Sequence, residues 1–161
     1  MIPKFRRRRK DLAGCSHHGP VVGLVWSQCG RYLLSVGGDN TIRRWDSITG
    51  RNSNTNFPSL AGVGKHPVDL VVTSGGDRDS LFVGEKAAVR VFDIETGREG
   101  RRLTGHYSTV TSLVWSHQRL ELYSGGRDKH ILLWSPSRPS DSEDQAAAVT
   151  RDNWSSSEEE S

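Results

Sequence analysis

Short apolar runs broken by polar, glycine-containing turns set the pattern of this chain. Residues 21–26 read Val-Val-Gly-Leu-Val-Trp, the turn Ser27-Gln28-Cys29-Gly30 follows, and residues 32–36 form a second run. After the turn Gly37-Gly38-Asp39-Asn40, residues 41–45 form a third. The runs are too short for helices and rich in β-branched and aromatic side chains. They predict antiparallel strands joined by tight turns. The plan returns at 110–115, 121–124 and 130–134, with Gly125-Gly126-Arg127-Asp128 as the second turn. A fainter copy lies between them at 68–73, 81–83 and 89–92, with Ser74-Gly75-Gly76-Asp77 as a turn. Residues 99–103 extend that copy by an outer strand. Residues 51–64 are polar and glycine-rich and predict a loop or a poorly ordered outer strand.

The copies are related by a fixed offset. Leu24-Val25-Trp26-Ser27 recurs as Leu113-Val114-Trp115-Ser116, and SVGGDNTIRRWD at 35–46 answers SGGRDKHILLWS at 124–135, both 89 positions apart. That is about two periods of ~45 residues, the length of a four-stranded propeller blade. The anchor aromatics Trp45, Phe92 and Trp134 are spaced 47 and 42 apart, and Ile48-Thr49-Gly50 and Glu95-Thr96-Gly97 follow the first two as matching turns.

These residues resemble the WD-repeat family, whose pattern is Gly-His, roughly 25–30 residues, then Trp-Asp. Gly105-His106 and Trp134 fit, with Ser135 in place of the aspartate; His18-Gly19 inverts the first pair, and Trp45-Asp46 is intact. His66 stands 26 positions before Phe92. The resemblance implies an all-β fold: a partial β-propeller of about three blades over residues 17–138, between a basic segment (1–16) and an acidic tail (139–161). It also implies two buried hydrogen-bonded sets, His18, Ser35, Asp39 and Trp45, then His106, Ser124, Asp128 and Trp134. In the middle copy Phe82 and Lys86 fall at the Ser and Asp positions, so the expectation is that this blade lacks a network and is the weak one.

A His–Asp–Ser grouping also suggests a hydrolase triad. The same set occurs twice at repeat spacing, which favours a structural staple and no catalytic site. His17, His117 and His130 show no metal-ligand spacing, and the glycine pairs lack the Lys-Ser/Thr sequel of a phosphate loop. No metal or other cofactor is expected. Trp26 and Trp115 are expected to pack between blades.

A closer resemblance covers residues 17–161. Residues 17–46, 105–135 and the tail sequence DNWSSSEEES are similar to WD-repeat excision-repair factors that serve as substrate receptors of cullin–RING ubiquitin ligases. The resemblance implies a non-catalytic subunit in transcription-coupled repair, located in the nucleus. Its partners would be proteins, namely the ligase adaptor and repair or transcription factors. The alternative is a generic WD-repeat scaffold or a truncated, non-functional isoform. Two departures stand against adaptor docking. The family's propellers have seven blades, and no Trp-Asp-x-Arg occurs, because Ile48 and Glu95 stand where the arginine would be.

Charge adds two features that the net value of +3 conceals. Residues 1–10 carry six basic side chains and no acidic one, while residues 139–161 carry seven acidic groups against Arg151. Both read as solvated tails. Nucleic-acid contact through Arg6, Arg7, Arg8 and Arg9, with Arg98, Arg101 and Arg102, is a weaker reading. Ser155, Ser156 and Ser157 each precede a glutamate by three positions, the spacing read by acid-directed kinases, and Trp154 is the tail's hydrophobic anchor for docking. No apolar run approaches the ~20 residues that span a bilayer, so no membrane is expected, nor a small-molecule substrate. Cys15 and Cys29 make no disulfide framework, which points to a reducing compartment.

Overall fold

The computed structural model describes residues 16–64, 66–74 and 78–136. The basic segment up to residue 15, the turn residues 75–77, and the acidic tail with Trp154, Ser155, Ser156 and Ser157 lie outside the described residues.

Every regular element among the described residues is a strand, and all pair antiparallel into three sheets. The first sheet is β1 (Val21–Trp26), β2 (Tyr32–Gly37) and β3 (Ile42–Asp46). The second is β4 (Leu70–Ser74), β5 (Asp79–Glu85), β6 (Ala88–Asp93) and β7 (Glu99–Thr104). The third is β8 (Val110–Ser116), β9 (Glu121–Gly126) and β10 (Ile131–Trp134). Each sheet is a meander in chain order, as tight turns between short strands require. Asn40, Lys86 and Lys129 turn the hairpins β2–β3, β5–β6 and β9–β10 with positive φ of 62°, 50° and 68°.

The innermost strands converge, β1 against β4 and β4 against β8. Val68 N donates to Val22 O at 3.0 Å, and Leu113 N donates to Asp69 Oδ2 at 2.7 Å. At the opposite end of these strands Gln28 meets both Ser74 and His117. The sheets therefore fan out from a common line, as propeller blades do.

Alternation along each strand divides the core in two. Tyr32, Leu34 and Val36 on one face of the first sheet pack against Leu70, Leu81, Val83 and Phe92 of the second. The other face of the second sheet, with Val71 and Phe82, packs against Leu113, Leu122, Trp115 and Trp134 of the third. Residues 51–64 are a loop whose start lies against β3, with a bridge from Trp45 to Asn52 and hydrogen bonds from Asp46 N to Arg51 O and from Ser53 N to Arg44 O. The loop is also anchored further on, since Leu60 and Val63 are buried and Phe57 meets Phe92 edge-on at 6.1 Å.

Candidate functional site

The aspartates after Trp45 and Phe92 show how the repeat turns are built. Asp46 accepts from Thr49 N at 2.7 Å and Thr49 Oγ1 at 3.0 Å; Asp93 accepts from Thr96 N at 2.7 Å and Thr96 Oγ1 at 2.9 Å. Gly50 and Gly97 close these turns with φ of 68° and 73°, a conformation glycine adopts without strain. Thr49's backbone donation holds the Asp46 carboxyl below the ordinary carboxylate range.

The third sheet brings together His106, Ser124, Asp128 and Trp134. Trp134 Nε1 donates to Ser124 Oγ at 2.8 Å, Ser124 Oγ lies 2.8 Å from His106 Nε2, and His106 Nδ1 lies 2.8 Å from Asp128 Oδ2. The indole N–H is given to the hydroxyl oxygen, and the imidazole bridges that hydroxyl to the carboxylate. Burial alone would raise the Asp128 pKa. Donations from Tyr107 N, His130 N and His106 outweigh burial and hold it at about 2.

The first sheet repeats this geometry with one correction to the sequence reading. The histidine is His17, not His18. His17 Nδ1 lies 3.0 Å from Asp39 Oδ1, His17 Nε2 lies 2.7 Å from Ser35 Oγ, and Trp45 Nε1 donates to Ser35 Oγ at 2.8 Å. His18 contributes only its backbone, N to Asp39 Oδ2 at 2.9 Å, as Tyr107 N does to Asp128. The 89-residue offset carries this answer, for it maps His106 onto His17; matching the Gly-His dipeptide to His18-Gly19 hid it. Burial would raise the Asp39 pKa, but donations from His18 N, Thr41 and His17 leave it well below the ordinary range. Gly37 and Gly126 stand under these pairs, where a Cβ would collide with the histidine and the aspartate.

Ser35 and Ser124 are 2% and 0% exposed, so neither hydroxyl can reach a substrate as a nucleophile. The sets act on geometry instead. They fasten the turns after β2 and β9 to the segments that enter β1 and β8, making a rigid rim.

The second sheet departs further from expectation. Val83 pairs with Arg90 as Ser35 pairs with Arg43 and Ser124 with Leu132. Val83, not Phe82, therefore holds the serine position, and Phe82 lies on the opposite face, stacked on Trp115 at 5.9 Å. Lys86 is a turn residue. A network is present after all, built from other chemistry. Arg90 donates to Glu85 Oε1 at 3.0 Å, to Ser59 O at 2.8 Å and to Glu99 Oε1 at 2.9 Å; Arg102 reaches Glu85 Oε2 at 3.0 Å. Glu85 and Arg90 are each 5% exposed. The Glu99 contact raises the Arg90 pKa against burial, and the Arg90 contact lowers that of Glu99. Glu85 also accepts from Ala61 N, so the network pins the 51–64 loop. Sequence matching missed it because no His–Asp–Ser pattern marks it; the signal was alternating charge at 85, 90, 99 and 102.

Beside this network a cavity of about 280 Å³ opens on the rim, lined by His66, Val68, Glu85, Lys86, Thr109 and Arg127 among others. His66 precedes β4 as His17 and His106 precede β1 and β8, but by strand register it stands three residues past their position, and it is exposed beside the cavity. Lys86 and Arg127 are exposed at its mouth, while the Glu85 charge is already matched by Arg90 and Arg102. The recess fits an acidic side chain. Trp26 corrects another expectation: it is 54% exposed, whereas Trp115 packs against the second sheet. Among the described residues no cluster of His, Cys, Asp and Glu could hold a metal, and no helix is long and apolar enough to cross a membrane. Arg98, Arg101 and Arg102 lie on or beside the exposed edge strand β7, with Arg102 committed to Glu85. Their charges suit an edge that resists strand addition.

The WD domain, G-beta repeat model matches residues 9–46 and 97–135. The chain is 35% identical over 142 residues to WD repeat-containing protein ATCSA-1 of Arabidopsis thaliana, covering 87% of this chain and 31% of that protein. It is 29% identical over 120 residues to Cell division cycle 20.1, cofactor of APC complex, of the same organism, covering 74% and 25%. Among solved structures, the crystal structure of RRP9 WD40 repeats superposes with a TM-score of 0.62 at 20% identity, over 74% of this chain and 36% of that one. The chain thus spans less than a third of the length of these two sequence relatives.

Proposed function

Because this chain is built from WD repeats, we propose that it is a non-catalytic protein-interaction subunit whose rim cavity receives an acidic segment of its partner. The observation that carries this reading is the recess with Lys86, Arg127 and His66 around it, between turns held by buried hydrogen-bonded sets. A preformed cationic recess loses little freedom on binding and favours negative partners. Loops on a rigid scaffold are where binding residues collect.

The finer reading is a substrate receptor of a cullin–RING ubiquitin ligase, acting in the nucleus in transcription-coupled excision repair and resembling the Cockayne syndrome group A protein. The similarity to ATCSA-1 over 87% of this chain supports it. The repair or transcription factor would meet the rim. In the tail, Trp154 would serve as a second anchor, and phosphorylation of Ser155, Ser156 or Ser157 would add about −1.5 to −2 charge each. Exposed Ile48 stands where an adaptor-binding arginine would be, so the adaptor is the partner least served by this chain alone. A generic scaffold role is the second reading, supported by similarity to proteins as differently named as an APC cofactor and a U3 snoRNP-associated protein.

Capture from nuclear extract tests both. The intact chain is expected to retain repair or transcription factors, the Lys86→Glu/Arg127→Glu variant to lose most of them, and a chain ending at Arg138 to lose part. Equal recovery by all three would remove the rim and the tail from the interaction. Recovery of partners unrelated to repair would favour the generic scaffold.

A further inference from the structure

On the rim where the β2–β3, β5–β6 and β9–β10 turns lie, the exposed charges among the described residues are all positive. Lys86, Arg127 and Lys129 are exposed there, with His18, His66 and His130. Each acid of that rim is already bound by donors of this chain. Asp39 is held by His17 and His18 N, and Asp128 by His106 and Tyr107 N. Asp69 accepts from Leu70 N and Leu113 N, and Glu85 from Ala61 N, Arg90 and Arg102. The side chains of Asp39, Glu85 and Asp128 are 10%, 4% and 6% exposed.

Two of the cations are held at a fixed separation. Lys86 follows Glu85 as Arg127 follows Gly126 and Gly38 follows Gly37, so by strand register the three hold one place in successive hairpins. The first sheet has glycine there, and the second and third each have a cation. Val110 N donates to Lys86 O at 2.7 Å, and Arg127 N donates to Thr109 O at 2.9 Å. Both turns are thereby tied to neighbouring residues of the one segment that enters β8, and Lys86, Thr109, Val110 and Arg127 line the same cavity. An added Cβ at Gly62 would meet Lys86 Cε at 3.3 Å. The lysine stem is thus braced by the loop that Glu85 pins, and ordering it on binding costs less.

We infer that the recess between Lys86 and Arg127 reads a phosphoserine or phosphothreonine in the partner, an inference that rests on the acidic-segment reading above. Charge decides between phosphate and carboxylate. A phosphate monoester carries about −1.5 to −2 at pH 7 and three acceptor oxygens, which an ammonium and a guanidinium fork match together. A glutamate or aspartate carries one charge and leaves one cation unmatched. Glu85, the acid that lines the recess, does not oppose the dianion, because Arg90 and Arg102 already neutralise it. Each phosphodiester of a nucleic acid carries a single charge, so it fits the pair no better than a carboxylate does.

Fluorescence anisotropy on the full chain tests the inference. The probes are three labelled, degenerate peptide libraries that differ only in a fixed central residue: phosphoserine, glutamate or serine. The phosphoserine library is expected to bind about tenfold tighter than the glutamate library, and the serine library to bind weakest. Lys86→Asn and Arg127→Gln are each expected to bring phosphoserine down to the glutamate level with the far-UV spectrum unchanged, and Arg127→Lys to keep most of the preference. Asparagine suits the positive φ at Lys86, as Asn40 shows in the first hairpin. If Arg127→Gln loses the spectrum, Arg127→Gly takes its place. Arg51→Gln, at an exposed cation on the opposite rim, is expected to change nothing. Equal binding of the phosphoserine and glutamate libraries would overturn the inference and leave the acidic-segment reading standing. Binding of both no tighter than serine would overturn the two together. A phosphoserine preference that survives Lys86→Asn and Arg127→Gln, or that Arg51→Gln lowers as much as they do, would also overturn the inference. So would displacement of the phosphoserine library by a thymidine oligonucleotide at equal phosphate concentration, which would mark a nucleic-acid surface.

Discussion

A hydroxyl that serves two partners at once leaves both unpaired when it is removed. Ser124 accepts from Trp134 and is hydrogen-bonded to His106 within a fully buried site. Ser124→Ala is expected to cost about 1–3 kcal/mol, read as a lower urea midpoint. At the other staple, His17→Ala is expected to lower the midpoint and His18→Ala to leave it nearly unchanged, since His18 contributes only a backbone N–H. A reversed order would return the assignment to His18. The aspartates give the sets a pH signature. Asp39 and Asp128 have folded pKa values below their unfolded ones, Asp128 at about 2. Their stabilisation is therefore complete above an unfolded value of about 3.9 and is lost as pH falls towards 2. Urea midpoints are expected to hold at pH 5 and fall between pH 4 and pH 2, less steeply in Asp128→Asn. The four-residue spacing from Asp39 and Asp128 back to Ser35 and Ser124 was legible in the sequence, because the turn between them is local. The histidine was legible only through the 89-residue offset, which maps His106 onto His17, because two adjacent histidines offer the same dipeptide chemistry.

At the scale of the element, the second sheet shows one architecture held by two chemistries. Glu85 and Arg90 take the place that His, Asp and Ser take in the flanking sheets, and Arg90 also lies 4.9 Å over the Phe92 ring. Removing Glu85 takes the buried acceptor from Arg90, Arg102 and Ala61 N, while Arg90 keeps Glu99 and Ser59 O, so the loss falls below the about 3–5 kcal/mol of a fully stranded buried charge. Glu85→Ala is thus expected to destabilise and to loosen the 51–64 loop, which would show as faster proteolysis there. Lys86→Ala, at an exposed turn position, is expected to do little by comparison. Asp128→Ala is likewise expected to lower the urea midpoint more than Lys86→Ala. Equal midpoints for Glu85→Ala and Lys86→Ala would show that the network carries no weight. The loop of residues 51–64 reads as polar and formless because its contacts are nonlocal. Leu60 N and Val63 N donate to Asn40, and Ala61 N to Glu85, each 20 residues away or more.

On the scale of the whole molecule, three sheets sharing two cores should melt together, because the second sheet is half of both. Circular dichroism is expected to show a strand spectrum without helical minima, and Phe82→Ala is expected to broaden the transition by loosening the joint to Trp115. A helical spectrum would refute the fold. A sharp transition at the wild-type midpoint in Phe82→Ala would show that the third sheet does not rely on that joint.

The chain's own pattern determined the all-β class, the three-sheet plan, most strand positions and the repeat offset, since each rests on alternation and turn residues within a few positions of one another. Tertiary structure decided everything that depends on which face of a strand meets which sheet. Leu24-Val25-Trp26 and Leu113-Val114-Trp115 are the same residues in the same register, yet one tryptophan is covered and the other is bare. Burial belongs to the neighbouring sheet, and no local pattern of side chains records whether that neighbour is present.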